Sequence, residues 1–302
     1  MEKKDHPFKN SQAMPLSLRA FFAVMTFVFK VLDKVSRPLA GRLALRLFMI
    51  PPKHRMPARE VATSESADVR FYTIHDKEIA VRSWGEGPVI LLSHGWGGRS
   101  TQLFSFVQPL VDAGYRVVGC NLPAHGESSG KNTNMLEASL ILSEVVKKEV
   151  KMGEGLKAII GHSFGSGTAL LTVHRYQIKP EKLVLISCFA DIHWVTRTFG
   201  DVFEMSDQVV SAMEQTAYKQ LDNAYGKAWH WDDLSPTLNI QKVSQETLLI
   251  HDKEDHEVPY EHATQLHDAA LNSELLSTTG YGHRKILMNQ KVVDATVGFV
   301  SQ

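Results

Sequence analysis

A chain of 302 residues with 43% hydrophobic and 22% charged residues has the balance of an ordinary folded protein, long enough for one large domain with an insertion or for two small ones. Its 33 basic and 33 acidic residues cancel, which speaks against a nucleic-acid-binding body, and it holds no Cys-x-x-Cys pair or His-Glu-x-x-His helix, which removes the common zinc patterns. The charge is nevertheless lopsided: residues 1–60 carry 12 Lys and Arg against 4 Asp and Glu, leaving 21 against 29 for the rest. Cys120 and Cys188 each follow an apolar run that reads as an interior strand, which suits buried free thiols in a reducing, cytoplasmic setting.

From Leu18 the residues Phe21, Phe22, Met25, Val28, Phe29, Leu32 and Val35 recur at steps of three and four, one stripe of a helix with Arg19, Lys30, Lys34 and Arg37 opposite. The uncharged run Ala20 to Phe29 is ten residues, half of the ~20 needed to span a bilayer, and no clean cleavage site follows it, so neither a transmembrane helix nor a signal peptide is expected. Leu39 to Ile50 reads as a second basic amphipathic helix, stopped by Pro51-Pro52. Residues 1–60 are therefore expected to form a basic helical arm, which either packs on the protein's own surface or makes peripheral membrane contact through residues 16–50. The polar stretch from Lys53 to Asp68 reads as its boundary with a body over residues 61–302.

The body opens on alternating runs, Val69 to Ile74 and Glu78 to Trp84, expected as a hairpin around Asp76-Lys77. A strand at 88–92, a helix at 101–112, a strand at 115–120, a helix at 134–151 and a strand at 156–160 follow, the sequence form of a parallel sheet covered by helices. Further strands are expected at 183–187, 247–250 and 274–277, with a closing helix over 285–299. About sixty residues separate the first two of these, far more than a usual connection, and read as an inserted helical cap at about residues 190–236. Its Trp194, Phe199, Phe203, Met213, Tyr218, Trp229 and Trp231 fit a small core of its own better than a substrate box.

Reactive groups of an open parallel sheet collect beyond the carboxyl ends of its strands. Gly161-His162-Ser163-Phe164-Gly165 stands between an apolar strand and a helical pattern, a sharp turn that lifts the Ser163 hydroxyl clear of the sheet. A serine hydroxyl is a weak nucleophile and needs a base, with an acid to hold that base. Ser93-His94-Gly95-Trp96-Gly97-Gly98 follows one strand, His251-Asp252-Lys253-Glu254-Asp255 another, and Gly280-Tyr281-Gly282-His283 the last. Nucleophile, acid and base thus appear in the order Ser163, Asp255, His283. His251, His256 and His262 are rival bases, but they share the acid's own loop or helix. Asp252, Glu254 and, after the preceding strand, Asp191 are rival acids, while His94 and His125 read as hydrogen-bonders that shape loops.

On the serine turn, His94-Gly95, Asp255-x-x-Val258-Pro259 and Gly282-His283, residues 68–300 resemble the α/β-hydrolase fold serine hydrolases of esterase and lipase type. Asn121 to Ser128 is similar to that family's Asp-x-Pro-Gly-His-Gly-x-Ser loop, with Asn121 and Ala124 as departures. The resemblance implies a mostly parallel eight-stranded α/β sheet with a helical cap. It implies Ser163 as nucleophile, His283 as general base, Asp255 as the acid that orients it, and the backbone N–H groups of Trp96 and Phe164 as an oxyanion hole. No cofactor and no metal are implied. Serine in place of aspartate argues against dehalogenase and epoxide hydrolase chemistry, so the expected reaction is cleavage of a small-molecule or lipid-like carboxylic ester through an acyl-enzyme. A thioesterase, amidase, acyltransferase or carbon–carbon bond hydrolase would use the same residues; outside catalysis, the alternative is a membrane-associated non-catalytic module. The cap is expected to set substrate choice.

Overall fold

Apolar runs too continuous to be half exposed make the centre of the protein. In the computed structural model, which describes residues 15–151, 155–221 and 228–302, they are strands of a single sheet. The first fourteen residues of the expected arm and residues 222–227 of the expected cap lie outside the described residues. The chain opens with α1 (Leu16–Val35), α2 (Arg37–Phe48) and α3 (Ala58–Glu65), then β1 (Asp68–Ile74), β2 (Lys77–Trp84) and β3 (Val89–Ser93). It continues through α4 (Phe104–Asp112), β4 (Arg116–Cys120), α5 (Met135–Glu149), β5 (Leu156–His162), α6 (Phe164–Tyr176) and β6 (Lys182–Ile186). The helices α7 (Ile192–Val202), α8 (Asp207–Leu221) and α9 (Pro236–Ile240) come before β7 (Glu246–Asp252). Last come α10 (Glu261–Ala269), β8 (Ser273–Thr278), α11 (Gly282–Lys285) and α12 (Gln290–Ser301).

The strands lie in the order β1-β2-β4-β3-β5-β6-β7-β8. β2 is antiparallel to β1 and β4, and every other pairing is parallel, so the sheet is the mostly parallel eight-stranded one expected. Both of its faces are covered, which is why the central strands do not alternate with polar residues. Val89, Leu91 and Ile159 join Ile141, Leu142, Leu170 and Val173 of α5 and α6 on one face. Ile90, Leu92 and Ile160 join Phe106 and Leu110 of α4 and Val292, Val293 and Phe299 of α12 on the other. Cys120 and Cys188 are buried free thiols, and burial pushes the Cys120 thiol up to about 12.

The contacts divide the chain into two compact units, one running to Ile50 and resuming over Asp191–Asp232, the other formed by Pro51–Ala190 and Asp233–Gln302. In the first, arm and cap stretch share one core: Phe29, Ala40, Ala44 and Leu45 pack with Phe203, Val209, Val210, Met213 and Ala217. The backbones of α2 and α8 approach so closely that a Cβ on Gly41 would stand 2.6 Å from the Ala212 carbonyl. Two stretches that read as separate parts in the sequence are thus halves of one helical unit, and the arm ends in this division at Ile50 rather than near residue 60. In the second unit, the stretch read as a polar boundary carries α3. Pro57 presets its entry, and eight residues are too few to display a period.

Candidate active site

Ser163 is the hinge between β5 and α6, at φ 54° and ψ −118°, a conformation unfavourable for a residue with a side chain. Two neighbours without side chains make the turn possible. A Cβ on Gly161 would lie 2.6 Å from the Ser166 Cα, and one on Gly165 would lie 2.1 Å from the Ser93 carbonyl oxygen at the end of β3. The Ser163 N–H donates to the Ile186 carbonyl (2.9 Å), and the Ser166 N–H donates to the Ser163 carbonyl (3.0 Å), so the strained residue is bonded on both sides.

Beyond β7 and β8 the other two expected residues meet. His283 Nδ1 donates to Asp255 Oδ2 at 2.7 Å, and both side chains are buried. The second oxygen, Asp255 Oδ1, accepts from the Glu257 and Val258 N–H groups, each at 2.8 Å. Burial pushes the Asp255 carboxyl up, but the neighbouring His251 ring, the hydrogen bond from His283 and the Val258 N–H outweigh it and hold the group below the usual carboxylate range. Among the described residues no hydrogen bond joins Ser163 Oγ to His283. The residue before Ser163 does touch His283: the His162 Nε2–H donates to the His283 carbonyl at 2.9 Å, and the two ring centroids lie 4.8 Å apart. The His162 Nδ1 is buried without a partner, and burial first, then His283, lowers His162 to about 3, which keeps the ring neutral.

The loop after β3 is held from beneath. Gly95 N–H donates to Gln102 Oε1 (2.7 Å), Gly97 N–H to His125 Nε2 (3.0 Å), and Leu122 N–H to His94 Nε2 (3.0 Å). For these nitrogens to accept, both rings must be neutral; burial lowers His125 to about 4 and holds His94 well below its ordinary value. The Trp96 and Phe164 rings touch edge to face at 5.0 Å, and neither residue's N–H donates to a described residue. Phe164 also opens α6, where backbone N–H groups favour negative charge. Ala124 stands at φ 65°, left-handed where the resembled loop has glycine, a strain of roughly 1–2 kcal/mol.

The rival residues have other partners. His251 Nε2–H donates to the Val258 carbonyl (2.8 Å) and stands 3.4 Å from Asp255. His262 accepts from the Ala190 N–H (3.1 Å), and His256 is exposed. Asp252 ties β7 to the segment that leads to His283, accepting from Thr278 (2.6 Å), the Tyr281 N–H (3.1 Å) and the Glu254 N–H (2.9 Å). Asp191 caps α7 through the His193 N–H at 2.9 Å. Sequence reasoning passed over His162 and Gln102; the one local signal for His162 is an imidazole placed directly before the serine of the turn.

Comparison with known proteins gives the same reading of the fold. Residues 88–225 match the model described as the alpha/beta hydrolase fold, and residues 214–300 match one described as TAP-like protein. An uncharacterised protein of Mycobacterium tuberculosis is 28% identical over 156 residues, covering 50% of this chain and 41% of that protein, so the chain spans less than half of this relative's length. A lysophosphatidylserine lipase of Danio rerio is 25% identical over 276 residues, covering 82% of this chain and 65% of the relative. Among solved structures, a membrane phospholipase A matches with a TM-score of 0.59 at 16% identity, covering 93% of this chain and 98% of that chain. The two matched stretches join into one run that takes in every strand from β3 to β8, and the chain belongs to the α/β-hydrolase family.

Proposed function

We propose that this α/β hydrolase cleaves carboxylic esters through an acyl-enzyme formed on Ser163, with His283 as general base and Asp255 as the carboxylate that orients it. The observation that carries the reading is the 2.7 Å His283–Asp255 hydrogen bond, with the His283 backbone bonded to the residue preceding the strained Ser163. Ser163 Oγ attacks the ester carbonyl carbon while its proton passes to His283 Nε2. The negative oxygen that forms is met by the Trp96 and Phe164 N–H groups, a contribution of roughly 3 kcal/mol per donor. As the carbon–oxygen bond breaks, His283 returns the proton to the departing alkoxide; water, activated by the same imidazole, then releases the acid. Asp255 stays ionised throughout and fixes the tautomer that leaves Nε2 free to accept.

Lipid-like esters are the substrates best supported, because the Danio rerio relative is a lysophosphatidylserine lipase and structural neighbours include an esterase and a phospholipase. A fluorophosphonate probe, which reacts only with an activated serine, should label Ser163, and a panel of p-nitrophenyl esters of rising chain length should rank the acyl groups. Ser163→Ala and His283→Ala should each lower kcat by on the order of 10⁴ to 10⁶, with the double variant hardly worse, because the residues act as one unit. A Ser163→Ala enzyme that kept a tenth of its turnover, or that still took up the probe, would overturn the assignment.

A further inference from the structure

The helix α1 is apolar on two sides, and among the described residues only one of them is packed inside the protein. Phe22, Met25, Phe29 and Leu32 pack into the core shared with α2, α7 and α8. Leu16, Ala20, Val24, Phe27, Val31 and Val35 recur at steps of three and four along a different line, a continuous stripe over the whole helix. These side chains face solvent: Phe27 is 68% exposed, Val24 59%, and Leu16 and Val35 at the two ends 80% and 75%. Single exposed apolar residues are ordinary, but an unbroken row of this length marks a surface that something covers.

Charge says what covers it. Arg19, Lys30 and Lys34 follow stripe residues at a spacing of three, so they line its border, and all three are exposed; Lys30 is paired with Glu204 at 2.7 Å, which leaves Arg19 and Lys34 to supply the border's charge. The one acid of α1, Asp33, is half-buried and accepts a hydrogen bond from Arg37 at 3.0 Å. Pairing of this face with a second copy would bring basic borders together with no exposed acid on the helix to answer them. Anionic headgroups do answer them, and the Arg19 and Lys34 stems let their charged groups reach that layer while the stripe enters the acyl boundary. Among the described residues no helix is long and apolar enough to cross a membrane, and the inward face of α1 is already packed on protein. The helix can lie in an interface and cannot span one.

We propose that the outer face of α1, centred on Val24, Phe27 and Val31, is a docking surface for an anionic lipid bilayer, with α1 lying in the plane of the interface. Packing and membrane contact, which the sequence sets against each other as uses of the same residues, are served by different faces of one helix. The surface stands independently of the chemistry assigned to Ser163.

Sedimentation of the full-length protein with vesicles of phosphatidylcholine and phosphatidylglycerol, compared with phosphatidylcholine alone, tests this. Binding should need the anionic lipid and fall steeply between low salt and ~1 M salt, where the screening length is about 3 Å. Arg19→Gln and Lys34→Gln should each weaken binding about fivefold. The pair Phe27→Ser and Val31→Ser should abolish it, at least tenfold, while the melting temperature and turnover of a short water-soluble ester stay as in the parent, since both side chains face water. Absence of vesicle binding by the parent protein overturns the proposal, as does binding that survives the serine pair. A dimer in light scattering that ignores vesicles and is dissolved by the same pair would assign the face to a second copy and overturn it too.

Discussion

His162 does for the candidate site what neither the serine nor the base can do alone. Ser163 stands on the turn after β5, while His283 belongs to α11, 121 positions beyond His162, and the Nε2–H of His162 is the group that bonds the His283 backbone. Replacement by phenylalanine would keep the ring and remove the donor, leaving the His283 carbonyl unpaired and the base free to drift. His162→Phe should therefore lower kcat about tenfold, the loss expected from ~1.4 kcal/mol of misplacement, with KM nearly unchanged; His162→Gln, which can still donate, should recover part of it. A kcat equal to that of the parent in His162→Phe would show that Asp255 alone positions the imidazole. Ser163, Asp255 and His283 are legible in the sequence because each follows its own apolar run, a local pattern. The part played by His162 is fixed by a partner far along the chain, and nothing beside it in sequence announces that partner.

At the level of elements, the expectations hold where burial is continuous and fail where it is partial. Strands β3 and β6 show continuous apolar runs and β5 one broken only by Lys157, so their places are legible to within two residues. α3 has no such run, and its working residue is a buried acid: Glu60 Oε2 accepts from Thr101 Oγ1 (2.8 Å) and pairs with Arg99 Nη1 (3.2 Å) on the segment that continues the Gly95–Gly98 loop. Removing one member of a buried pair leaves the other charge uncompensated. Glu60→Ala should cost on the order of 3 kcal/mol, read as a fall in the urea midpoint. A change of about 0.5 kcal/mol or less would mean that Arg99 is satisfied by the His54 and Arg55 carbonyls alone. The same limit of pattern reading applies to α1, where the stripe drawn through Val28 and Val35 mixes two faces: Val35 is exposed while Phe29 is buried. A helix apolar on both sides permits more than one line at steps of three and four.

Across the whole molecule, titration separates the two units. In the sheet unit burial keeps three histidines from taking up a proton: His162 is lowered to about 3, His125 to about 4, and His94 well below its usual value, and the last two must also stay neutral for their Nε2 atoms to accept. In the unfolded chain they would take up protons near ~6.5. As pH falls from there toward about 4 and about 3, the unfolded state binds protons that the folded state refuses, so stability is lost, each group contributing up to ~1.4 kcal/mol per pH unit. Asp255, held low by its hydrogen bonds, adds the same sign of loss below ~3.9. His193 of the helical unit runs the other way. Burial lowers it, but its Nε2–H donates to Asp232 (2.7 Å) and its Nδ1–H to Glu214 (3.1 Å), with the charge of Asp191 adding, and the net shift is upward. Folded protein then binds the extra proton, so this contribution is fully present below ~6.5 and is lost as pH rises through the raised value. Acidification from ~7.5 to ~5 should therefore lower the opening free energies of β3, β5 and α6 while those of α7 and α8 hold or rise, as read by hydrogen exchange corrected for intrinsic rates. His193→Gln should remove the rise and leave the sheet's response unchanged. Parallel loss in both units would mean that they open as one cooperative body, in which the three buried histidines outvote the one clasped between carboxylates.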